Sequence, residues 1–195
     1  MRRAILLVVW LTACAAKPPP PAPAPAPPAP PAPPPCERVA RIEVRKSERT
    51  LVAECEGGAR QVFPVALSRE KGPKRAAGDE RVPEGDYRIG APPRASRFHL
   101  FLPIDYPSPA DADRALAEGR ISDDERDAIA AAHRRGRMPP QDTALGGAVG
   151  FHGEGARWRG DLKLNWTEGC VALADEAIDW LAAHAPRLTP VSIRP

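Results

Sequence analysis

Two residues of this chain are suited by type and setting to covalent chemistry: His152 and Cys170, the ends of the stretch HGEGARWRGDLKLNWTEGC. A thiolate attacks carbonyl carbon readily and a thiol does so poorly. A reactive cysteine therefore needs a base that takes its proton and later returns it to a leaving amine. Histidine titrates in the range that suits both transfers. Gly169 precedes the cysteine and permits a tight turn that exposes the sulfur, and the amides of Gly169 and Cys170 are candidate oxyanion donors. One Cys and one His also occur together in structural roles, and the residues alone leave that reading open. Zinc is poorly provided for, with two soft ligands converging and no Cys-x-x-Cys or paired histidine. No metal and no cofactor is expected.

The other cysteines lie far upstream. Arg2 and Arg3 precede an apolar run from Ala4 to Leu11 that is far short of the ~20 residues needed to span a bilayer, so residues 1–13 read as a cleaved secretory signal. Cys14, directly after Leu11-Thr12-Ala13, resembles the lipidated cysteine of a bacterial lipobox. That resemblance implies a membrane anchor, and Ala15 in place of aspartate implies the periplasmic face of the outer membrane. The competing reading is an ordinary secretory peptide with a chance cysteine. From Pro18 to Pro35 there are 13 prolines and 5 alanines. Such a run favours polyproline II, and at about 3.1 Å per residue it makes a stalk of roughly 55 Å. Residues 14–35 are thus a lipidated cysteine and linker, and a spacer of no required length is the alternative for the proline run.

Residues 36–195 suit one domain with its own core. The net charge of +3 is small, basic and acidic residues interleave, and no basic patch carries stacking aromatics, so nucleic acid is not indicated. A monomer is expected. An exported domain permits a disulfide between Cys36 and Cys55. Ala40, Ile42 and Val44 alternate with polar residues, Lys46 to Arg49 turn the chain, and Leu51, Ala53 and Cys55 alternate again, which predicts a hairpin. If Arg45 faces Thr50, Cys55 lies opposite Ala40, and Cys36 falls about 13 Å beyond that partner, whereas a bridge needs Cα atoms within ~7 Å. The preceding chain would have to fold back. Otherwise Cys55 is a buried free thiol and Cys36 a loose one.

Short strands are predicted over Gln61–Leu67, Asp86–Ile89, Arg97–Leu102, Gly146–Gly153 and Val191–Ile193, separated by glycine and proline turns. Together they argue for a mainly β, α+β domain. Helices are predicted over Pro109–Glu118, from Ser122 with a Ser122/Glu125 capping box, and over Asp175–Ala183. His133 and His184 then read as helix-end cations and His99 as a partly buried strand residue. The strand ending in Gly153 delivers His152. The loop 154–165, with Arg157, Arg159 and Lys163, leads to Trp166 and Cys170.

His152-Gly153, then Thr167-Glu168-Gly169-Cys170-Val171, is similar to the signature of the L,D-transpeptidase catalytic-domain (YkuD-type) family. VRKSERTLV, GPKRAAGDERVPEGDYRI, SRFHLFLPIDYPSPADADRAL, NWTEGCVALADEAIDWL and PVSI resemble its murein L,D-transpeptidase-like subgroup. The resemblance covers most of residues 38–195. It implies a β-sandwich or barrel-like core with a few flanking helices. It also implies that Cys170 attacks the carbonyl on the L-centre of the diamino acid in a peptidoglycan stem peptide and expels D-alanine as a thioester forms, with His152 as base. Thr167 would shape the turn, the Gly153 carbonyl would orient the imidazole, and Arg157, Arg159, Lys163 and Trp166 are candidates for binding substrate.

Four positions depart from the family pattern. Glu168 stands for a frequent histidine and Ala172 for a frequent arginine, although the subgroup also carries alanine there; Val82 replaces threonine and Asn165 replaces aspartate. A carboxylate beside Cys170 disfavours the thiolate, with Arg157, Arg159 or Lys163 as possible compensation. The expected function is transfer of the acyl group to an amine, giving 3–3 crosslinks or protein attachment to the wall. The alternatives are an L,D-carboxypeptidase or amidase-type hydrolase and a non-catalytic wall-binding lipoprotein.

Overall fold

A computed structural model describes residues 35–158, 160 and 162–195. The signal peptide read at 1–13, Cys14 and the linker up to residue 34 lie outside the described residues. The strands are β1 Val39–Arg45, β2 Thr50–Cys55, β3 Arg60–Pro64, β4 Gly85–Arg88, β5 Arg94–Ser96, β6 His99–Pro103, β7 Gly150–His152, β8 Val171–Ala172 and β9 Pro190–Arg194. The helices are α1 Pro109–Ala117, α2 Asp123–Arg134, α3 Gly155–Trp158 and α4 Asp175–His184. One sheet has the order β3-β2-β1-β9-β4 and the other β5-β6-β7-β8. The fold is mainly β, as predicted.

The β1–β2 hairpin forms because alternate apolar residues give each strand one buried face: Ile42 and Val44 on β1, Leu51, Ala53 and Cys55 on β2. Arg45 pairs with Thr50 as predicted, but the register shifts between Val39 and Arg41, so Val39, not Ala40, faces Cys55. This bulge turns Ala40 outward and puts Val39 into the core. It also redirects the incoming chain, and Cys36 reaches Cys55 in a disulfide with Cα atoms 5.5 Å apart. The geometric objection to that bridge assumed an unbroken register. The last strand, β9, enters between β1 and β4, parallel to one and antiparallel to the other, and buries Val191 and Ile193.

Three predicted strands are redrawn. The run Gln61–Leu67 leaves the first sheet at Pro64, which has no N–H for the ladder, and crosses to the second through bridges Ala66↔Ala172 and Ser68↔Thr167. The run from Arg97 is a hairpin: Ser96 pairs with His99, and Arg97 and Phe98 form a two-residue loop. His99 is left-handed there (φ 70°) and exposed, and its Nε2 lies 2.7 Å from Asp179 Oδ1 on α4. Gly146–Gly153 shortens to β7 because Gly146 (φ 76°) and Ala148 (φ 53°) are left-handed.

The helices follow their caps. Ser108/Asp111 and Ser122/Glu125 form reciprocal capping boxes on α1 and α2. His133 lies in the last turn of α2, where its ring bonds the Pro107 carbonyl (2.9 Å) and meets Asp105 and Arg88, tying the helix end to the second sheet's approach. His184 bonds the Trp180 carbonyl one turn back at the end of α4. Ile178 and Leu181 of α4 are fully buried with Leu102, Phe151 and Leu173, and this packing backs the strands that carry His152.

Candidate active site

β7 ends at His152 and β8 begins one residue after Cys170, and the two strands pair in parallel, Phe151↔Val171 and His152↔Ala172. That register brings the two ends of the sequence motif to one edge. Both residues line a cleft of about 790 Å³, with Trp166, Thr167 and Glu168 from the Cys170 loop.

His152 is buried, and its Nδ1 lies 2.6 Å from the Gly153 carbonyl oxygen. A carbonyl only accepts, so Nδ1 carries the proton and Nε2 keeps its lone pair. The ring stacks on Phe98 (centroids 4.6 Å) and meets Trp166 (5.5 Å). Burial holds the imidazole pKa below its ordinary value; the Gly153 hydrogen bond opposes this and the Arg97 charge adds to it. Gly153 is a steric requirement, since a Cβ there would lie 2.8 Å from the Phe98 carbonyl oxygen and against the Asp175 carboxylate. Asp175 Oδ1 accepts the amides of Glu154 (2.9 Å) and Gly155 (3.0 Å) and fixes the chain that leaves the histidine.

The Cys170 loop is held from several sides. Trp166 and Thr167 donate their amides to Leu67 O, and Thr167 Oγ1 donates to the Cys170 carbonyl at 2.7 Å. Gly169 has φ 111°, and a Cβ there would lie 2.9 Å from Arg81 O. No acceptor among the described residues takes the amides of Gly169 and Cys170. Arg49, from the β1–β2 turn, donates to Leu162 O (2.6 Å), Leu164 O (3.2 Å) and the Asn165 side chain, and Arg69 donates to Asn165 O. An amide at 165 therefore serves as an acceptor for Arg49 without adding a charge.

The half-buried Cys170 thiol donates to Ala148 O at 3.6 Å. Burial pushes its pKa up to about 11, against the Gly150 amide and Lys74, which lower it; Glu168 raises it further as the smallest of these influences. The direction expected for Glu168 from the sequence agrees with this, and burial is the larger cause. At neutral pH the pair rests as thiol and neutral imidazole. The compensating cation is Lys74, a buried side chain bonded to Ala76 O and Asp79 Oδ1 (both 2.8 Å). Lys163 is exposed and outside the cleft lining, the Arg157 side chain is not among the described features, and Arg159 lies outside the described residues.

Two other departures acquire physical accounts. Ala172 is fully buried and exchanges both backbone hydrogen bonds with Ala66, which leaves an arginine no room. Val82 is buried in the core, where a threonine hydroxyl would need a partner. The cleft residues that sequence reasoning missed are Arg94, Ser96, Arg97, Phe98, Phe101, Gly147 and Ala148. Among the described residues no group of three His, Cys, Asp or Glu is placed to hold a metal ion.

A thiol and a buried imidazole anchored through Nδ1 thus open on one cleft. Residues 39–193 match the L,D-transpeptidase catalytic domain (YkuD), and the chain belongs to that family. Among solved structures it is similar to the helical cell shape determining protein Pgp2 from Campylobacter jejuni, 17% identical over 80% of this chain and 47% of that one, TM-score 0.52. The K307A mutant of Pgp2 gives 17% identity, 81% and 47% coverage and TM-score 0.54. Bdellovibrio bacteriovorus Bd1075 is 21% identical over 80% of this chain and 48% of that one, with a TM-score of 0.46. The Pgp2 likeness is one of fold, and this chain spans about half the length of these structures. No curated protein sequence matches it.

Proposed function

We propose that the protein is a cysteine acyl-transfer enzyme that acts on peptidoglycan stem peptides at the carbonyl of the diamino acid's L-centre. The observation that carries this reading is the pairing of β7 with β8, which opens Cys170 and a Nδ1-anchored His152 on the same cleft. His152 Nε2 takes the thiol proton as sulfur bonds to the carbonyl carbon, so no standing thiolate is required. The amides of Gly169 and Cys170 receive the charge that develops on oxygen. The C–N bond then breaks, the imidazolium returns its proton to the departing amine, and a thioester remains. An incoming amine or water gives its proton to the same nitrogen, attacks the thioester and expels the sulfur, which recovers its proton.

Transfer and hydrolysis differ only in that second nucleophile. The full chain and Cys170→Ala are incubated with purified sacculi, including sacculi bearing covalently attached protein, and the products analysed by mass spectrometry. New 3–3 dimers indicate transfer, whereas lost D-alanine or freed protein indicates hydrolysis. Identical profiles for the two proteins exclude both, and leave a wall-binding role. The anchor at Cys14 and the stalk belong to the same proposal: labelled fatty acid should enter the wild type and not Cys14→Ser.

A further inference from the structure

The β5–β6 hairpin places two arginines on the cleft that the reaction above does not use. The Arg94 guanidinium lies over the Phe101 ring, and that of Arg97 over the Phe98 ring, each 4.7 Å from the centroid. Phe98 also stacks on His152. Both arginines line the cleft with Cys170, and both are exposed. Other arginines of the domain hold carboxylates: Arg41 with Glu54, Arg88 with Asp105, Arg114 with Asp111. Among the described residues, Arg94 and Arg97 hold none. A guanidinium held over a ring, with no carboxylate partner, has N–H groups left for a planar anion and loses less freedom on binding one. Two such forks, Arg94 on β5 and Arg97 in the β5–β6 loop, put positive charge on the wall of the cleft that also holds Cys170, with Arg97 near enough to His152 to act on its imidazole. Glu168 on the cleft's lining lies in the Cys170 loop and pairs with neither.

We propose that Arg94 and Arg97 form a carboxylate clamp that binds an acyl-donor peptide by a carboxylate close to the bond that breaks. The clamp rests on the reading of the substrate as a stem peptide. Beyond the scissile carbonyl and on the diamino acid itself, a stem peptide with a meso-diamino acid offers two carboxylates: the terminal one, on the departing D-amino acid, and the one on the D-centre of the diamino acid. A carboxylate bound there pins the scissile carbonyl over Cys170 through charge-assisted, bidentate hydrogen bonds.

The test uses the full chain with Cys170→Ala, which binds without turnover, and three synthetic tetrapeptides: the free acid, its C-terminal amide and its D-centre amide. Binding is measured by calorimetry, with and without Arg94→Gln and Arg97→Gln, and circular dichroism checks the fold. The free acid is expected to bind about tenfold more tightly than one of the amides. The amide that loses affinity identifies the carboxylate. The preference should vanish in the double variant and survive in part in Arg97→Lys, which keeps the charge without the fork. Equal affinity for all three peptides, or a preference that persists in the double variant, overturns the clamp. Turnover of the free acid by the wild type is scored separately: turnover without preference sinks the clamp alone, and absence of any binding sinks the substrate reading with it.

Discussion

In the five-stranded sheet the strands run four to seven residues, β9 alternates in and out, and a disulfide braces β2. In the four-stranded sheet they run two to five residues, with left-handed residues at the start of β6 (His99) and near β7 and β8 (Ala148, Gly169), whereas in the first sheet Arg49 and Gly85 are left-handed where β2 and β4 begin. Every residue lining the Cys170 cleft belongs to the second sheet or to the segments that feed it. A regular ladder satisfies its own amides and carbonyls and has none left to offer. Among the described residues, the irregular sheet leaves the amides of Gly169 and Cys170 unclaimed, and the Ala148 carbonyl accepts from the thiol. One core spans both sheets, but the regular ladder and the irregular strands that line the cleft are different parts of the domain.

The separation can be attacked from both sides. Cys170→Ala should lower turnover on sacculi by more than ~10³-fold and leave the thermal midpoint near that of the wild type. Leu51→Ala, at a fully buried site on β2, should do the reverse: a loss of about 2–5 kcal/mol in urea unfolding, with unchanged alkylation of Cys170 in the folded fraction. Removing the disulfide with Cys36→Ser and Cys55→Ser should cost about 3 kcal/mol, again without altering alkylation.

Arg49 is the test of where the division fails, because it sits on the first sheet's hairpin and grips the loop that leads to Cys170. Arg49→Ala should lose about 1–2 kcal/mol. It should also speed hydrogen exchange at the Trp166 and Thr167 amides and lower turnover. If exchange there is unchanged, the two sheets are more independent than the contacts imply. The smallest effect belongs to Glu168. A thiol pushed up to about 11 should show alkylation that rises about tenfold per pH unit from neutrality and levels only near that value. Glu168→Gln should move this profile toward lower pH by less than about half a unit. An unmoved profile removes Glu168 from the account of the thiol.

What could be read in the sequence follows the same boundary. Ile42, Val44, Leu51 and Ala53 declare their hairpin by alternation, and Ser122/Glu125 declare a helix start, because local pattern and tertiary burial agree there. Cys170 and His152 stand out as a candidate pair by residue type, while their meeting on one cleft depends on the β7–β8 register, which no short window contains. The bulge at Ala40 was not, since one extra residue leaves no mark on composition, and with it went the route of Cys36 to Cys55. The β5–β6 hairpin was read as a single strand because its turn is Arg97-Phe98, without glycine or asparagine, and His99 adopts the left-handed conformation that those residues usually supply. Lys74 and Arg49 act across long sequence separations, through contacts that no short window contains.

The position of β9 has a consequence in time. Residues 190–194 fill the gap between β1 and β4, so the first sheet cannot close until these residues have emerged from the ribosome. Until then Ile42, Val44 and Tyr87 lack the neighbours that bury them. Pairing across so long a stretch of sequence forms late, and a sheet that needs β9 beside β1 keeps the fold unlocked while the chain between them is being made.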